Sequence, residues 1–162
     1  MGRYLASHDE LRRALDEERR AGRKIVFTNG VFDMLHAGHV RSLAAAASLG
    51  DVLVVGLNDD ASVRRLKGDK RPIVPLEQRG EVLAALSCVG FVAPFSEDTP
   101  EKIIQVVRPD VLVKGRDYEG KLVVGADFVQ SYGGRVELVP MVPGISTSDL
   151  VTEILKRYGA KA

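Results

Sequence analysis

Five short apolar runs, each set off from the next by a stretch with helical signals, constrain this chain most. They are Lys24-Ile25-Val26-Phe27-Thr28, Asp51-Val52-Leu53-Val54-Val55-Gly56-Leu57, Phe91-Val92-Ala93-Pro94, Asp110-Val111-Leu112-Val113-Lys114 and Arg135-Val136-Glu137-Leu138-Val139. Runs without a polar face suit strands buried on both sides. Alternation with helices buries such strands as a parallel sheet covered on both faces. The expected fold is therefore α/β, a Rossmann-like three-layer sandwich with a five-stranded parallel sheet. Ser7-x-x-Glu10 is a capping box that opens a helix over about 8–21, with Gly22 closing it. Further helices are expected at about 39–49, after Asn58-Asp59-Asp60, and over 75–87. Others follow from Pro100 to about 108, at 123–132, and from Ser146-x-x-Asp149 to about 158.

The 162 residues contain no internal repeat, low-complexity tract or linker-like stretch. A single domain over 1–162 is expected, with an N-terminal helix in 1–22 and the core in 23–162. A formal net charge of +1 gives no electrostatic case for nucleic acid or an anionic membrane as partner. Cys88 is the single cysteine, so no intrachain disulfide is available, which suits a reducing compartment. With no apolar leader and no run of about 18 apolar residues, the expected location is cytoplasmic.

In parallel sheets, ligands bind beyond the carboxyl ends of the strands. The stretch Thr28-Asn29-Gly30-Val31-Phe32-Asp33-Met34-Leu35-His36-Ala37-Gly38-His39 leaves a strand, makes a Gly-containing turn and enters a helix. Two imidazoles three residues apart share a helix face, beside backbone amides that favour anions. His36 and His39 are therefore candidate phosphate ligands and catalytic residues, with Thr28, Asn29, Gly30 and Phe32 lining the same nucleotide site. A lone His-x-x-His would more simply supply a cap and a core residue; the preceding strand, turn and Phe32-Asp33 favour function. Zinc is disfavoured, because there is no His-Glu-x-x-His, no third histidine nearby and one cysteine.

Gly144-Ile145-Ser146-Thr147-Ser148 sets three hydroxyls at a helix start. Ser146 and Asp149 alone would satisfy a cap, but a cap does not need Thr147 and Ser148, so Gly144, Ser146, Thr147 and Ser148 are together candidates for binding the nucleotide's phosphates. Lys114-Gly115-Arg116-Asp117-Tyr118 follows a strand and offers cations and a carboxylate. Lys114, Arg116 and Asp117, with Asp33, are candidates for a phosphorylated, hydroxyl-rich acceptor, and Lys114 is also a candidate catalytic cation. Lys67 and Arg71, in the basic loop 66–74, are candidates for closing over the phosphates. His8 is assigned no role. The chain has no Gly-x-x-x-x-Gly-Lys-Ser/Thr, no Gly-x-Gly-x-x-Gly after its first strand, and no Gly-x-Ser-x-Gly. Walker-type ATPases, dinucleotide redox enzymes and nucleophile-elbow hydrolases are thus unsupported.

With these residues in hand, the chain resembles the nucleotidyltransferase superfamily that carries a His-x-Gly-His signature. Within it, the similarity is to the adenylyltransferase domain of bacterial heptose-phosphate enzymes. The matching stretches are Phe27 to His39, Leu66-Lys67-Gly68 with Arg71-Pro72, Pro75-Leu76-Glu77-Gln78-Arg79, and Pro94-Phe95 with Glu97-Asp98-Thr99-Pro100. Leu112-Val113-Lys114-Gly115 with Asp117-Tyr118 and Ser146-Thr147-Ser148 complete them, in order along nearly the whole chain.

The resemblance implies transfer of the adenylyl group of ATP to D-glycero-β-D-manno-heptose 1-phosphate, giving ADP-heptose and pyrophosphate. It also implies Mg²⁺ arriving with ATP, a role in lipopolysaccharide core synthesis, and a homodimer through about 75–95. In several relatives a kinase domain precedes this one, so the acceptor's phosphate is expected here from another protein. Gly144-Ile145-Ser146-Thr147 also resembles glycerol-3-phosphate cytidylyltransferases. Cytidylyl transfer to a polyol phosphate is therefore the alternative, with the base preference open. A non-catalytic nucleotide-binding domain is the competing class.

Overall fold

A computed structural model of the chain describes residues 1–140 and 144–159. Six strands form one sheet: β1 (Arg3–Tyr4), β2 (Ile25–Gly30), β3 (Val52–Asn58), β4 (Phe91–Phe95), β5 (Val111–Gly115) and β6 (Arg135–Val139). Their order is β1-β4-β3-β2-β5-β6, and every pairing is parallel. The helices are α1 (His8–Arg20), α2 (Ala37–Ala47), α3 (Asp60–Lys67), α4 (Leu76–Ala84), α5 (Glu101–Val107), α6 (Ala126–Ser131) and α7 (Thr147–Tyr158). None is long and apolar enough to cross a membrane.

The apolar runs do what their composition demands. Ile25, Phe27, Val54, Ala93 and Leu112 face a core completed by Leu11 and Leu15 of α1, Ile103, Ile104 and Val107 of α5, and Val129 of α6. Their neighbours Val26, Val55, Val92, Val111 and Val113 face the other side, where Leu43 and Ala46 of α2 and Leu83 and Ala84 of α4 cover them. Period-two alternation between two apolar faces is the signature of a sheet sandwiched between helix layers. Each fully buried aliphatic chain contributes about 1.5–3 kcal/mol.

The sheet has six strands rather than the expected five. The extra one, β1, pairs Arg3 with Phe91 and Tyr4 with Val92 at the β4 edge. Two residues show no alternation to read, and the anchor lies far along the chain. Gly80 of α4 leaves room for the Tyr4 ring, where a Cβ would come within 2.5 Å. Residues 1–22 are thus an edge strand followed by a helix. The chain runs outward from β2 through β3 to β4 and then crosses back to β5 and β6. The strand order therefore reverses between β2 and β5, where such sheets open a crevice for a ligand.

Candidate active site

A cavity of about 700 Å³ opens at this crevice, beyond the carboxyl ends of β2, β3, β4 and β5. Lys114, at the end of β5, donates to Asn29 Oδ1, at the end of β2, and so bridges the crevice floor. The lysine is nearly buried, and desolvation lowers its pKa to about 8 against the opposing pull of Asp117. Its ammonium also lies 5.6 Å from the centre of the Tyr118 ring.

The signature loop begins where β2 ends. Phe32 sits at φ 45°, an unusual conformation for a residue with a side chain. Its ring packs edge-on against His39, with centroids 5.2 Å apart. His36 and His39 stack at 3.7 Å, and both Nδ1 atoms are buried without a hydrogen-bond partner. Gly38 makes the stack possible: a Cβ there would come within 3.0 Å of the His36 ring and 3.1 Å of Ile145. His36 occupies the N-cap position of α2 without capping it through its side chain. The first-turn amides are thus left for another acceptor.

Burial, reinforced by the neighbouring His36, holds the His39 pKa near 4. Burial also lowers that of His36, against the pull of Asp149. Both rings are therefore neutral at pH 7 in the free protein. Anionic phosphates beside them would raise both pKa values and strengthen their donation.

The structure gathers most of the residues singled out from the sequence around this cavity. Thr28, Asn29, Gly30, Phe32, His39, Lys67, Arg71, Lys114, Asp117, Ser146, Thr147 and Ser148 line it. His36 does not itself line the cavity; it stacks behind His39, which does. Arg116 is exposed in a short 3₁₀ turn, Arg116–Tyr118, and does not line the cavity; nor does Gly144, which shapes the turn before α7 at φ 77°.

Asp33 lies at the cavity, but its carboxylate is spent on the protein. It accepts from Ile73 N and Val74 N at 2.8 Å each and pairs with Arg71. Burial alone would raise its pKa; the Val74 and Ile73 amides and Arg71 outweigh that and keep it ionised. Its place is therefore that of a latch joining the signature loop to residues 71–74, not of a free ligand for the acceptor. Ser146 is similarly engaged: its Oγ accepts from Asp149 N at 3.1 Å and donates to Asp149 Oδ2 at 2.7 Å.

Residues 27–153 match the family described as cytidylyltransferase-like. The chain belongs to that family. It is thus a nucleotidyltransferase, as Phe27 to His39 and Ser146 to Ser148 led us to expect. "Bifunctional protein HldE" of Syntrophotalea carbinolica is 55% identical over 150 residues, covering 93% of this chain and 31% of that protein. The protein of the same name from Geobacter metallireducens is 56% identical over 151 residues, with coverages of 93% and 31%. The chain spans just under a third of the length of these curated relatives.

The crystal structure of the lipopolysaccharide core biosynthesis protein from Thermoplasma volcanium superposes with a TM-score of 0.61 at 30% identity. It covers 76% of this chain and all (100%) of that one. Pantoate-beta-alanine ligase from Francisella tularensis, complexed with beta-gamma ATP and beta-alanine, has a TM-score of 0.65 at 15% identity, covering 97% of this chain and 77% of its own. That is a likeness of fold alone.

Reading the sequence for site residues missed several that this nucleotidyltransferase brings to the crevice. Asn58 closes β3, Thr99 and Pro100 follow β4, and Tyr118 follows β5; all line the cavity. The available signal was position, since polar residues just past the carboxyl end of a buried strand face the crevice.

Proposed function

We propose that the chain transfers the adenylyl group of ATP to D-glycero-β-D-manno-heptose 1-phosphate, releasing pyrophosphate and forming ADP-heptose. The observation that carries this is the pair of stacked imidazoles, their Nδ1 atoms unpartnered, at an uncapped helix start beside a crevice floored by a buried lysine. That cradle suits a polyphosphate. The heptose acceptor is supported by the resemblance of the ordered stretches and by relatives above 50% identity named HldE. The lipopolysaccharide core biosynthesis protein among the similar structures supports the same setting.

In the reaction, an oxygen of the sugar 1-phosphate attacks the α-phosphorus of ATP. The new P–O bond forms as the bond from the α-phosphorus to the α,β-bridging oxygen breaks, and pyrophosphate carries the electron pair away. Such transfers need positioning and charge stabilisation more than covalent chemistry. His36 and His39 donate to the phosphates, and their protonated share grows as charge gathers there. The α2 amides and the Thr28–Gly30 backbone line the triphosphate. Thr147 and Ser148 meet its far end at the start of α7, and Lys67 and Arg71 flank it. Lys114 and Asp117 face the acceptor.

When bound, Mg²⁺ neutralises phosphate charge. Such an ion prefers phosphate and water to a protein cage, and no group of three or more metal-binding side chains occurs among the described residues. Asp33 is fully engaged and Asp98 pairs with Arg65 at 2.7 Å, which leaves Asp117 as the cavity carboxylate to approach the ion. The proposal includes a cytoplasmic setting and a homodimer through residues 75–95, where Val82 is exposed.

The test is pyrophosphate release from ATP, CTP and GTP in turn, each with heptose 1-phosphate and with glycerol 3-phosphate. Release with ATP and heptose 1-phosphate supports the proposal. Release with CTP and glycerol 3-phosphate would move the chain to polyol-phosphate cytidylyl transfer. Nucleotide binding without release from any pair would favour a binding domain.

A further inference from the structure

The guanidinium of Arg79, in α4, is completely buried beneath the signature loop, and nothing in the reaction uses it. Its Nε donates to Val74 O at 2.9 Å, and Nη1 donates to Val31 O at 2.6 Å and to Asn58 O at 2.9 Å. Nη2 donates to Asp60 Oδ1 at 2.6 Å. One side chain thus ties the signature loop, the end of β3, the start of α3 and the loop latched by Asp33. A buried cation is costly unless each donor finds a partner, and here all three nitrogens have one. A rigid fork of donors can meet partners in several directions; a lysine ammonium is a single point.

The contact with Val31 leads to the histidines. Holding the Val31 carbonyl fixes the peptide plane that precedes Phe32, which keeps its left-handed φ. The Phe32 ring then lies over Gly30, where a Cβ would come within 2.9 Å of it, and meets His39 edge-on at 5.2 Å. We propose that Arg79 is a positioning residue which, through Val31 and Phe32, sets the place of the His39 ring for the transfer reaction. This rests on the adenylyltransferase reading for its kinetic readout.

The experiment compares wild type with Arg79→Lys, which keeps the charge but not the fork. Pyrophosphate release is measured with ATP and heptose 1-phosphate, and the histidine ring resonances are followed by NMR in the free protein. The expected result is a kcat lower by about 10- to 100-fold, the scale of a displaced catalytic group, with KM for ATP changed by less than about threefold. The His39 resonances should move, while those of His8, which is bonded to Pro94 O at 2.9 Å on another part of the fold, stay in place. Unchanged His39 resonances, or a shift of His8 and His39 together with a matching loss of thermal stability, would overturn the proposal.

If Arg79→Lys does not fold, Asp60→Asn removes only the partly exposed carboxylate partner. It should still move the His39 resonances while leaving those of His8 in place, and no movement of His39 would count against Arg79. Should wild type release no pyrophosphate, the reaction assignment fails on its own. The resonance comparison still decides the role of Arg79.

Discussion

The two halves of the crevice are built differently. The half that follows β2 is braced from several sides: Arg79 holds Val31, Asp33 latches residues 73 and 74, and Lys114 bridges to Asn29. The half at the start of α7 stands on little. That helix has no buried residue, and Ile154, Leu155 and Tyr158 on it are exposed. Among the described residues, its ties to the signature loop are Ile145, close to Gly38, and the pull of Asp149 on His36. The difference implies a division of labour. A braced half can hold donors where charge develops in the transition state, whereas a lightly held helix start adds binding strength equally before and during reaction. Changes in the first should appear in kcat and changes in the second in KM.

Variants can break that division, beginning with the largest effect. His39→Ala should lower kcat by roughly 10²–10⁴ with the fold intact by circular dichroism, the scale for a preorganised donor. A variant that keeps more than half of wild-type kcat would remove His39 from the chemistry. Lys114→Met should follow, at about 10²-fold in kcat, since a cation at the crevice floor acts on developing charge.

Lys114 also supplies a pH test. Its pKa is near 8 in the free protein and rises when anionic substrates bind, so binding takes up a proton above pH 8. kcat/KM should therefore be full below about pH 8 and fall as pH rises beyond it. That limb should vanish in Lys114→Met, and its persistence there would assign the titration to another group.

Smaller effects belong to the other half. Thr147→Ala should raise KM for ATP by about 3- to 10-fold with kcat nearly unchanged, the net cost of about one ordinary hydrogen bond. A kcat loss as large as that of Lys114→Met would end the division of labour. Arg116→Ala should change kcat/KM by less than about threefold, because the side chain is exposed away from the cavity wall. A tenfold loss in a steady-state assay would bring Arg116 back to the acceptor.

The same contrast explains what could be read in the sequence. The buried strands announce themselves by unbroken apolar runs, and the His36–His39 and Ser146–Ser148 clusters by spacing beside helix starts. These features are local. The roles of Asp33 and Arg79 are not: each depends on partners brought together only by the crossing of α4 and the 71–74 loop over the end of β2. A sequence displays an aspartate beside a signature motif but not whether its oxygens are already taken. β1 was hidden because two residues carry no period and its seat is a gap left by Gly80. Arg116 looked eligible through its neighbours Lys114 and Asp117, yet the 3₁₀ turn exposes it while those two line the cavity.

The central claim is attack at the α-phosphorus of ATP, and phosphorus labelling tests it most directly. The protein would be incubated with heptose 1-phosphate and ATP labelled at either the α- or the γ-phosphorus, and the products separated. The account predicts α-label in the sugar nucleotide and γ-label in pyrophosphate. γ-Label on the sugar or in free phosphate, or no transfer of α-label in a protein that binds ATP, would contradict it.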